Sequence, residues 1–563
     1  GALTSRGVIA PHTNSTLTLT LGWYFPNRDH FNYNPTNLSA FAPYGNAYAR
    51  RYKSAVDAAW GTAAKGERTD AMVALLSDVT AVHNAVGASS VPEWLQDLLI
   101  NSLSHTRDSM WWEKCAHCHE EKDPRVSGDT WGYWRQWEAY DCPDLDSIHN
   151  DGERHIPYIM LFPDATRSKL AAWAGNQLPN GMLAEQIHNS DPDTPEGRIM
   201  SDSTSMFIVY LLELLRWAGD EESVHLYYPT AKRAAMWQMN VSAEWGVPLK
   251  LETTYDILRF PDYDLSTYAS VFHLLAMTSA AELADYMGDH TFADTCRSAL
   301  ERGQKAMDDL QWNATLGFYN AASNCDTTSR TCSGIGSFAD AFYAQVLAYS
   351  LGLGSLLPDG DRLDAHLNYT WKTNCKSTDV ETGELVPGCP NGLLIMTERP
   401  VQMTDLQIWE MATHDHVALV LHRNLLSPSA ALALSEGTGT SYSQRINDQW
   451  NVAGIKFNDG YPSITSHYGY HMTSWHTVLA LSGQVADMST RNSSLTFAPK
   501  ETCDYVLPIL LPTALGTVSC EAGTFTVQLL SGKATVATLA VSGHTYPHSP
   551  VELVPGQPVQ WSA

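Results

Sequence analysis

Two short segments place carboxylates in surroundings suited to sugar chemistry. In Trp137-Glu138-Ala139-Tyr140-Asp141-Cys142, Glu138 follows Trp131, Tyr133, Trp134 and Trp137; in Thr253-Thr254-Tyr255-Asp256 an acid adjoins a tyrosine. Aromatic faces stack on the C–H faces of sugar rings, and breaking a glycosidic bond commonly takes two carboxyls, one attacking or activating water and one donating a proton. Residue types alone leave a plainer alternative open. Aromatics are mostly core, and a lone acid is mostly solvated surface or a helix cap.

Other constellations are weaker. Cys115-Ala116-His117-Cys118-His119 has the form of a haem-attachment motif, but five residues in a chain with 21 histidines match easily, and disulfide cysteines are the plainer reading. Asp141, Asp144 and Asp146, or Asp262 and Asp264, could meet calcium, yet neither group has the Gly and Glu spacing of an EF-hand loop. His467 and His471 stand at i, i+4, a spacing that can hold a metal, without an accompanying HExxH. There is no phosphate-binding loop, no GxGxxG after a strand and no GxSxG elbow. The expectation is a chain without cofactor or metal.

The elements that must carry these acids are mostly helices. From about 49 to 485 apolar residues recur at helical spacing, most clearly over 91–112, 203–219, 228–240, 266–287, 291–309, 337–352, 404–424 and 468–482. Long loops rich in Gly, Pro and Asp, such as 119–153, 176–202 and 312–336, separate them, and long loops on a rigid scaffold are where sites are built. No repeat of solenoid length is visible, so a toroid of helical hairpins is predicted. Residues 14–22 alternate like a strand, and after 495 VLPILLP, FTVQLL, ATVATLAV and VELV read as short strands. The tail is a β element that the 14–22 strand is expected to join.

The 563 residues exceed one simple core. A formal charge of -26 argues against a nucleic-acid partner. No apolar run is long enough for a membrane span. Ten cysteines and six N-x-S/T sequons, at Asn14, Asn37, Asn240, Asn313, Asn368 and Asn492, point to a secreted, N-glycosylated protein. Cys325/Cys332, Cys375/Cys389 and Cys503/Cys520 each close a short turn-rich loop and are the expected disulfides. The pairing of Cys115, Cys118, Cys142 and Cys296 stays open.

Several segments, in order, resemble the helical domain of glycoside hydrolase family 116, the family of non-lysosomal glucosylceramidase and microbial β-glucosidases. They are Leu21-Gly-Trp-Tyr-Phe-Pro-Asn-Arg28 with Gly45-Asn-Ala-Tyr48, Trp137-Glu-Ala139 with Met160-Leu-Phe-Pro163, Thr254-Tyr-Asp-Ile257 with Ser266-Thr-Tyr268, Asp405-Leu-Gln-Ile-Trp409, and His467-Tyr468 followed by Met472-Thr-Ser-Trp475 and Ala480-Leu-Ser-Gly483. The resemblance implies a mostly α fold, an (α/α)6 barrel over 23–490, with 1–22 the remnant of an N-terminal β domain and 491–563 a β-rich tail. It implies a retaining β-glycosidase with Glu138 as nucleophile, Asp256 as acid/base and Thr254 orienting that acid. Trp131, Trp134, Trp137, Tyr255 and Trp409 would line the pocket.

The sugar-reading positions depart from the family. His149-Asn150-Asp151 stands where the family has an Asp, Gln407 stands where it has a Glu (with Glu410 just beyond), and Asp459, His467 and His471 replace a Glu and two Arg. These residues are expected to contact a glycone other than glucose. Two other readings remain beside the β-glycosidase: a degenerate carbohydrate-binding glycoprotein on the same scaffold, and another (α/α)6 carbohydrate enzyme. The substrate is a glycoside or oligosaccharide, and a released N-terminal β fragment of a longer precursor is expected as partner.

Overall fold

The computed structural model describes residues 8–14, 21–29, 43–60, 65–114, 133–139, 142, 144–187, 195–258, 260–375, 377–378, 385–386, 392–396, 407–447, 452–456, 460–465, 467–512 and 514–562. Helices dominate the middle of the chain, with short strands between them, and strands make up its C-terminal end.

An inner set of helices is buried almost all round. It comprises Ile148–Arg154 and Ile156–Leu161, then Ser201–Ala218, Thr267–Met287, Tyr343–Ser350, Glu410–His422 and Ser474–Ser482, the last preceded by a 3-10 turn at Tyr470–Thr473. Each packs on the next in that order, and the 470–482 segment packs back on 148–161. A second set covers them from outside. Pro163–Gly175 lies on 156–161 and 201–218, Glu221–Val241 on 201–218 and 267–287, and His290–Leu310 on 267–287. Gly360–Asn374 and Pro428–Thr440 lie on 410–422, and Glu93–Asn101 on 474–482.

The sequence explains the division. The 267–287 helix is small or apolar on every face and is buried on every face. The 290–310 helix buries only Phe292, Ala293, Cys296, Ala299, Gly303, Ala306 and Met307, a single stripe at spacings of three and four. Asp220 caps the 221–241 helix by accepting from the Ser223 N–H. Gly219 ends the helix before it at φ 64°, where a Cβ would also meet the Met488 carbonyl at 2.7 Å.

Periodicity finds these helices within a few residues but overruns at three places. The expected 91–112 helix stops at Asp108, and Met110–Lys114 is a strand. The 404–424 helix begins only at Glu410, after the strand Gln407–Trp409. Residues 337–342 precede the helix at Tyr343. In the first two cases a neighbouring strand claims the backbone hydrogen bonds: Met110–Lys114 pairs with Tyr133–Gln136, and Gln407–Trp409 with Val452–Lys456. In the third, Phe338 bridges to Met396 and the Ala339 N–H donates to the Ile395 carbonyl at 2.9 Å.

The tail forms an antiparallel sheet of Tyr505–Leu511, Ala514–Glu521, Thr524–Gly532 and Val559–Ser562. A second sheet joins Val485–Asp487, Ser494–Phe497, Thr538–Val541 and His544–Thr545, with 494–497 and 538–541 parallel. Helix Lys65–Gly87 lies on the first sheet, and the tail's apolar residues are continuous with the helical core. The edge strand 505–511 is covered by side chains. Gln484 donates to the Leu510 carbonyl at 2.6 Å and accepts from its N–H at 3.1 Å, and Ser90 does the same for Val506. The expected strand at 14–22 falls mostly outside the described residues. Residues 21 and 22 are irregular, and the first strand, Asn27–Asp29, joins Pro43–Asn46 rather than the tail.

Cys325–Cys332 and Cys503–Cys520 are bonded as expected. Cys375 is disulfide-bonded and Cys389 lies outside the described residues. Cys142 and Cys296 are free thiols, and Cys115 and Cys118 are outside the described set. No helix is long and apolar enough to cross a membrane among the described residues.

The core also buries neutral histidines. His366 is 1% exposed; its Nδ1 accepts from the Tyr319 N–H at 3.2 Å, and burial holds its pKa down to about 3. In the unfolded chain it protonates near 6.5. Below that pH the unfolded state takes a proton that the folded state refuses, so this contribution to stability is present above about 6.5 and lost as pH falls toward 3, by up to about 1.4 kcal/mol per pH unit. We expect His366→Asn to cost stability at pH 7.5 and to flatten the acid side of the denaturation profile. Urea titrations at pH 7.5, 6 and 5 check this; parallel profiles for both proteins would contradict it.

Candidate active site

Glu138 leaves strand Tyr133–Gln136 at a tight reversal. Trp137 bridges to Leu145, the Glu138 N–H donates to the Asp144 carbonyl at 2.9 Å, and the Ala139 N–H to that of Cys142 at 2.9 Å. Arg154, fully buried, donates to the carbonyls of Glu138 (2.7 Å) and Trp137 (3.2 Å) and to that of Tyr468. Its own helix therefore fixes the main chain that presents Glu138. Glu138 is 8% exposed, and its Oε2 has no hydrogen-bond partner among the described residues.

His149, on the next helix, is the hub. Its Nε2 lies 3.5 Å from Glu185 and 3.8 Å from Glu138, and its Nδ1 lies 2.8 Å from the Thr254 hydroxyl. Burial alone would lower its pKa. The hydrogen bond with Glu185 and the charges of Glu138 and Asp202 outweigh that and hold it at about 9, so it is an imidazolium at neutral pH. Burial pushes Glu138 above the ordinary carboxylate range, against the pull of His149. Glu185 is also buried, but hydrogen bonds from His149 and Arg198 hold it well below that range.

Arg198 carries the array onward. It bonds Glu185 at 2.5 Å and Asp256 at 2.7 Å, and it approaches Glu252 at 3.5 Å. Asp256 opens a 3-10 turn, Asp256–Leu258, and its side chain is 69% exposed. The Thr254 N–H donates to Asp202 at 2.8 Å, which ties this turn to the start of the 201–218 helix. The two acids singled out by sequence are thus joined through Glu138, His149, Glu185, Arg198 and Asp256. Their surroundings differ sharply: one is buried beside an imidazolium, the other solvated beside a guanidinium.

An aromatic wall stands beside them. Trp409 stacks on Tyr470 (5.4 Å between centroids), Tyr470 on Tyr468 (5.0 Å), and Tyr255 lies 6.2 Å from Trp409. Behind it the Tyr255 hydroxyl donates to Asp340 at 2.5 Å. Burial raises Asp340 to about 7 and raises Asp415 beside it.

Other expected site residues sit differently. Trp137 packs edge-on against Trp111. Trp134 faces a separate cavity of about 240 Å³ with Trp112 and Phe162. Asp151 is locked at 2.5 Å to Lys169. Gln407 accepts from the Trp409 indole at 2.7 Å, and Glu410 lies 3.5 Å from His414. His467 stacks on His105 at 5.3 Å, and burial lowers His471 to about 3. Gln407, Glu410, His467 and His471 are all at most 2% exposed, so they line the interior of the inner helices beneath the wall. Trp131 and Asp459 lie outside the described residues. Glu185, Arg198, Tyr468 and Tyr470 were not read as site residues. The signal for the first two was the long 176–202 loop, which holds both.

No family model and no curated protein matches this sequence. Solved structures similar to it include a family 78 rhamnosidase of a Bacillus species, with TM-score 0.48 and 14% identity, over 78% of this chain and 39% of that one. A rhamnosidase from Klebsiella oxytoca with rhamnose bound has TM-score 0.41 and 16% identity, over 61% and 57% of the two chains. A bacterial glucoamylase complexed with acarbose has TM-score 0.41 and 14% identity, over 63% and 49%. These neighbours are glycoside hydrolases, and none is described as a family 116 enzyme. The chain spans less than two thirds of the length of each, and at such scores they carry no residue role to this chain.

Removing the hub takes one buried cation away from Glu138, Glu185 and Asp202. We expect His149→Gln to cost about 3–5 kcal/mol near pH 6.5, the usual loss when one partner of a buried ion pair is deleted. His149 has a raised folded pKa, so its contribution is fully present below about 6.5 and lost as pH rises through about 9. The gap between variant and parent should close across that window. Chemical denaturation at pH 6.5 and 9.5 measures it; a gap that does not change with pH would show His149 to be neutral in the fold.

Proposed function

We propose that this chain cleaves glycosidic bonds, as a secreted retaining β-glycosidase of the kind the family 116 resemblance implies, on an (α/α)6 barrel made by the inner and outer helices. Its parts are the barrel at 23–490 and the tail at 491–563. The observation that carries the proposal is the environment of Glu138. It is a buried carboxyl with an unbonded oxygen, beside an imidazolium, linked through two further charged groups to a second, solvent-facing acid. Two carboxyls in unlike surroundings, next to stacked aromatic rings, are what cleavage of a sugar acetal requires.

In the reading the resemblance implies, Glu138 attacks the anomeric carbon, and His149 steadies its negative charge. Asp256 protonates the leaving oxygen and later takes a proton from water. A second reading exchanges the roles, with Glu138 as the proton donor. Its burial favours that reading, because a desolvated carboxyl keeps its proton longer. The disulfides, together with exposed sequon asparagines Asn14, Asn240, Asn368 and Asn492, support the secretory assignment.

A screen of aryl glycosides tests the activity, and azide separates the roles. Glu138→Gln and Asp256→Asn should both lose turnover. The variant missing the acid should lose about 10²–10⁴-fold on poor leaving groups and far less on activated ones. With azide, Glu138→Ala should give a glycosyl azide of inverted configuration if Glu138 is the nucleophile, and one of retained configuration if it is the acid/base. Full activity in either variant would remove that residue from the mechanism.

A further inference from the structure

The reversal that presents Glu138 also folds two other donors back against it. Cys142 and Asp144 each place a ligand atom with that of Glu138 so that all three lie within 4.8 Å of one another, and the Cys142 sulfur is 3.8 Å from Asp144. The backbone builds this grouping: the Glu138 and Ala139 amides are bonded to the Asp144 and Cys142 carbonyls. Ligand atoms around a tetrahedral zinc ion are about 3.5 Å apart, as bond lengths of about 2.0 Å to oxygen and 2.3 Å to sulfur require. Cys142 and Asp144 are close to that spacing already, and Glu138 must close by at most about 1.3 Å. A second observation points to a ligand. Glu138 is more than nine-tenths buried, yet its Oε2 has no hydrogen-bond partner among the described residues. The Nε2 of His149, 3.8 Å from that oxygen, carries a proton shared with Glu185, so it is a neighbouring charge and not a ligand.

A thiolate with two carboxylates suits a borderline-soft divalent cation such as zinc better than calcium or magnesium, which prefer oxygen alone. We propose that Glu138, Cys142 and Asp144 form a binding site for a thiophilic divalent cation, zinc by class, which occupies the Glu138 carboxylate and shuts off hydrolysis. Binding forms one metal–sulfur bond and two metal–oxygen bonds, and the thiol releases its proton to solvent. The cation site stands on geometry alone; only its inhibitory effect rests on the glycosidase reading. Cys142 is half-buried, so a cation can reach it, whereas Cys296, the other free thiol among the described residues, is 0% exposed.

The test uses the whole chain and zinc or cobalt(II) alone. Equilibrium dialysis should show a zinc ion held by the parent and by Cys296→Ala. In Cys142→Ser the affinity should fall by about 100-fold or more, since changes to groups that merely support a ligand already cost about 10–100-fold. Cobalt(II) should give a near-ultraviolet sulfur-to-metal absorption in the parent that is absent in Cys142→Ser, a readout that does not depend on comparing affinities. Equal zinc affinity in parent and Cys142→Ser, or a cobalt spectrum without the sulfur band, overturns the site. On a preparation that hydrolyses an aryl glycoside, zinc should inhibit, a chelator should restore the rate, and Cys142→Ser should need about 100-fold more zinc relative to its own zinc-free rate. Zinc bound through Cys142 with the rate unchanged overturns the inhibitory role. Failure to find any hydrolysed glycoside would count against the glycosidase reading and leave the dialysis and cobalt results to decide the site.

Discussion

A buried imidazolium holds this site together. Moving charges out of water costs several kcal/mol per ion, and His149 is tolerable inside only because Glu138, Glu185 and Asp202 surround it. Those acids are tolerable only because of His149, Arg198 and the donors of the 252–256 turn. The dependence is mutual, so three loops from different helical hairpins have one arrangement that satisfies all the charges. The Nδ1 of His149 adds direction: as an imidazolium it donates to the Thr254 hydroxyl, which sets the turn carrying Asp256.

The same principle operates one layer down. Arg135 with Asp146, Lys169 with Asp151 and His155 with Glu213 are each buried pairs at 2.5–2.8 Å. Arg154 donates to three carbonyls and also stands 3.7 Å from Asp151. These pairings hold the floor of the site in place, because any displacement leaves a buried charge unpaired. The consequence for chemistry is asymmetry. Two carboxyls become different reagents when one loses its solvent and the other keeps it. Here the pairing of Trp137, Glu138 and Ala139 with Leu145, Asp144 and Cys142 buries Glu138, and the 3-10 turn at 256–258 leaves Asp256 in water.

The β tail contributes through support. Its first sheet rests on the 474–482 and 156–161 helices. Gln484 and Ser90 close the sheet's outer edge, so the strand ladder ends on side-chain amide and hydroxyl groups rather than on open backbone. Gly219 lets the end of one inner helix pass under Met488 of the tail. Helical core and tail share one continuous set of buried apolar residues, which is why neither reads as an independent unit.

Much of this could be read along the chain. Period 3.6 placed most helices because a helix records its buried face in its own sequence: the stripe from Phe292 to Met307 needs no knowledge of what covers it. Period 2 placed the tail strands for the same reason, and short turn-rich loops marked Cys325–Cys332 and Cys503–Cys520. Aromatic neighbours drew attention to Glu138 and Asp256, since both lie in segments whose composition is unusual by itself. The partners of those acids left no such trace. Glu185 and Arg198 are ordinary residues of a long loop, and His149 is one histidine among 21. Trp134 and Trp137, three residues apart, ended in different packing, one against Phe162 and the other against Trp111. Gln407, Glu410, His467 and His471 are buried among the inner helices, a placement their own segments do not record. Local periodicity is a property of neighbours in sequence. Which charge meets which, and which polar group is sealed from water, depends on segments more than a hundred residues apart, as His149 and Thr254 are, and only the closed ring of helices brings them together.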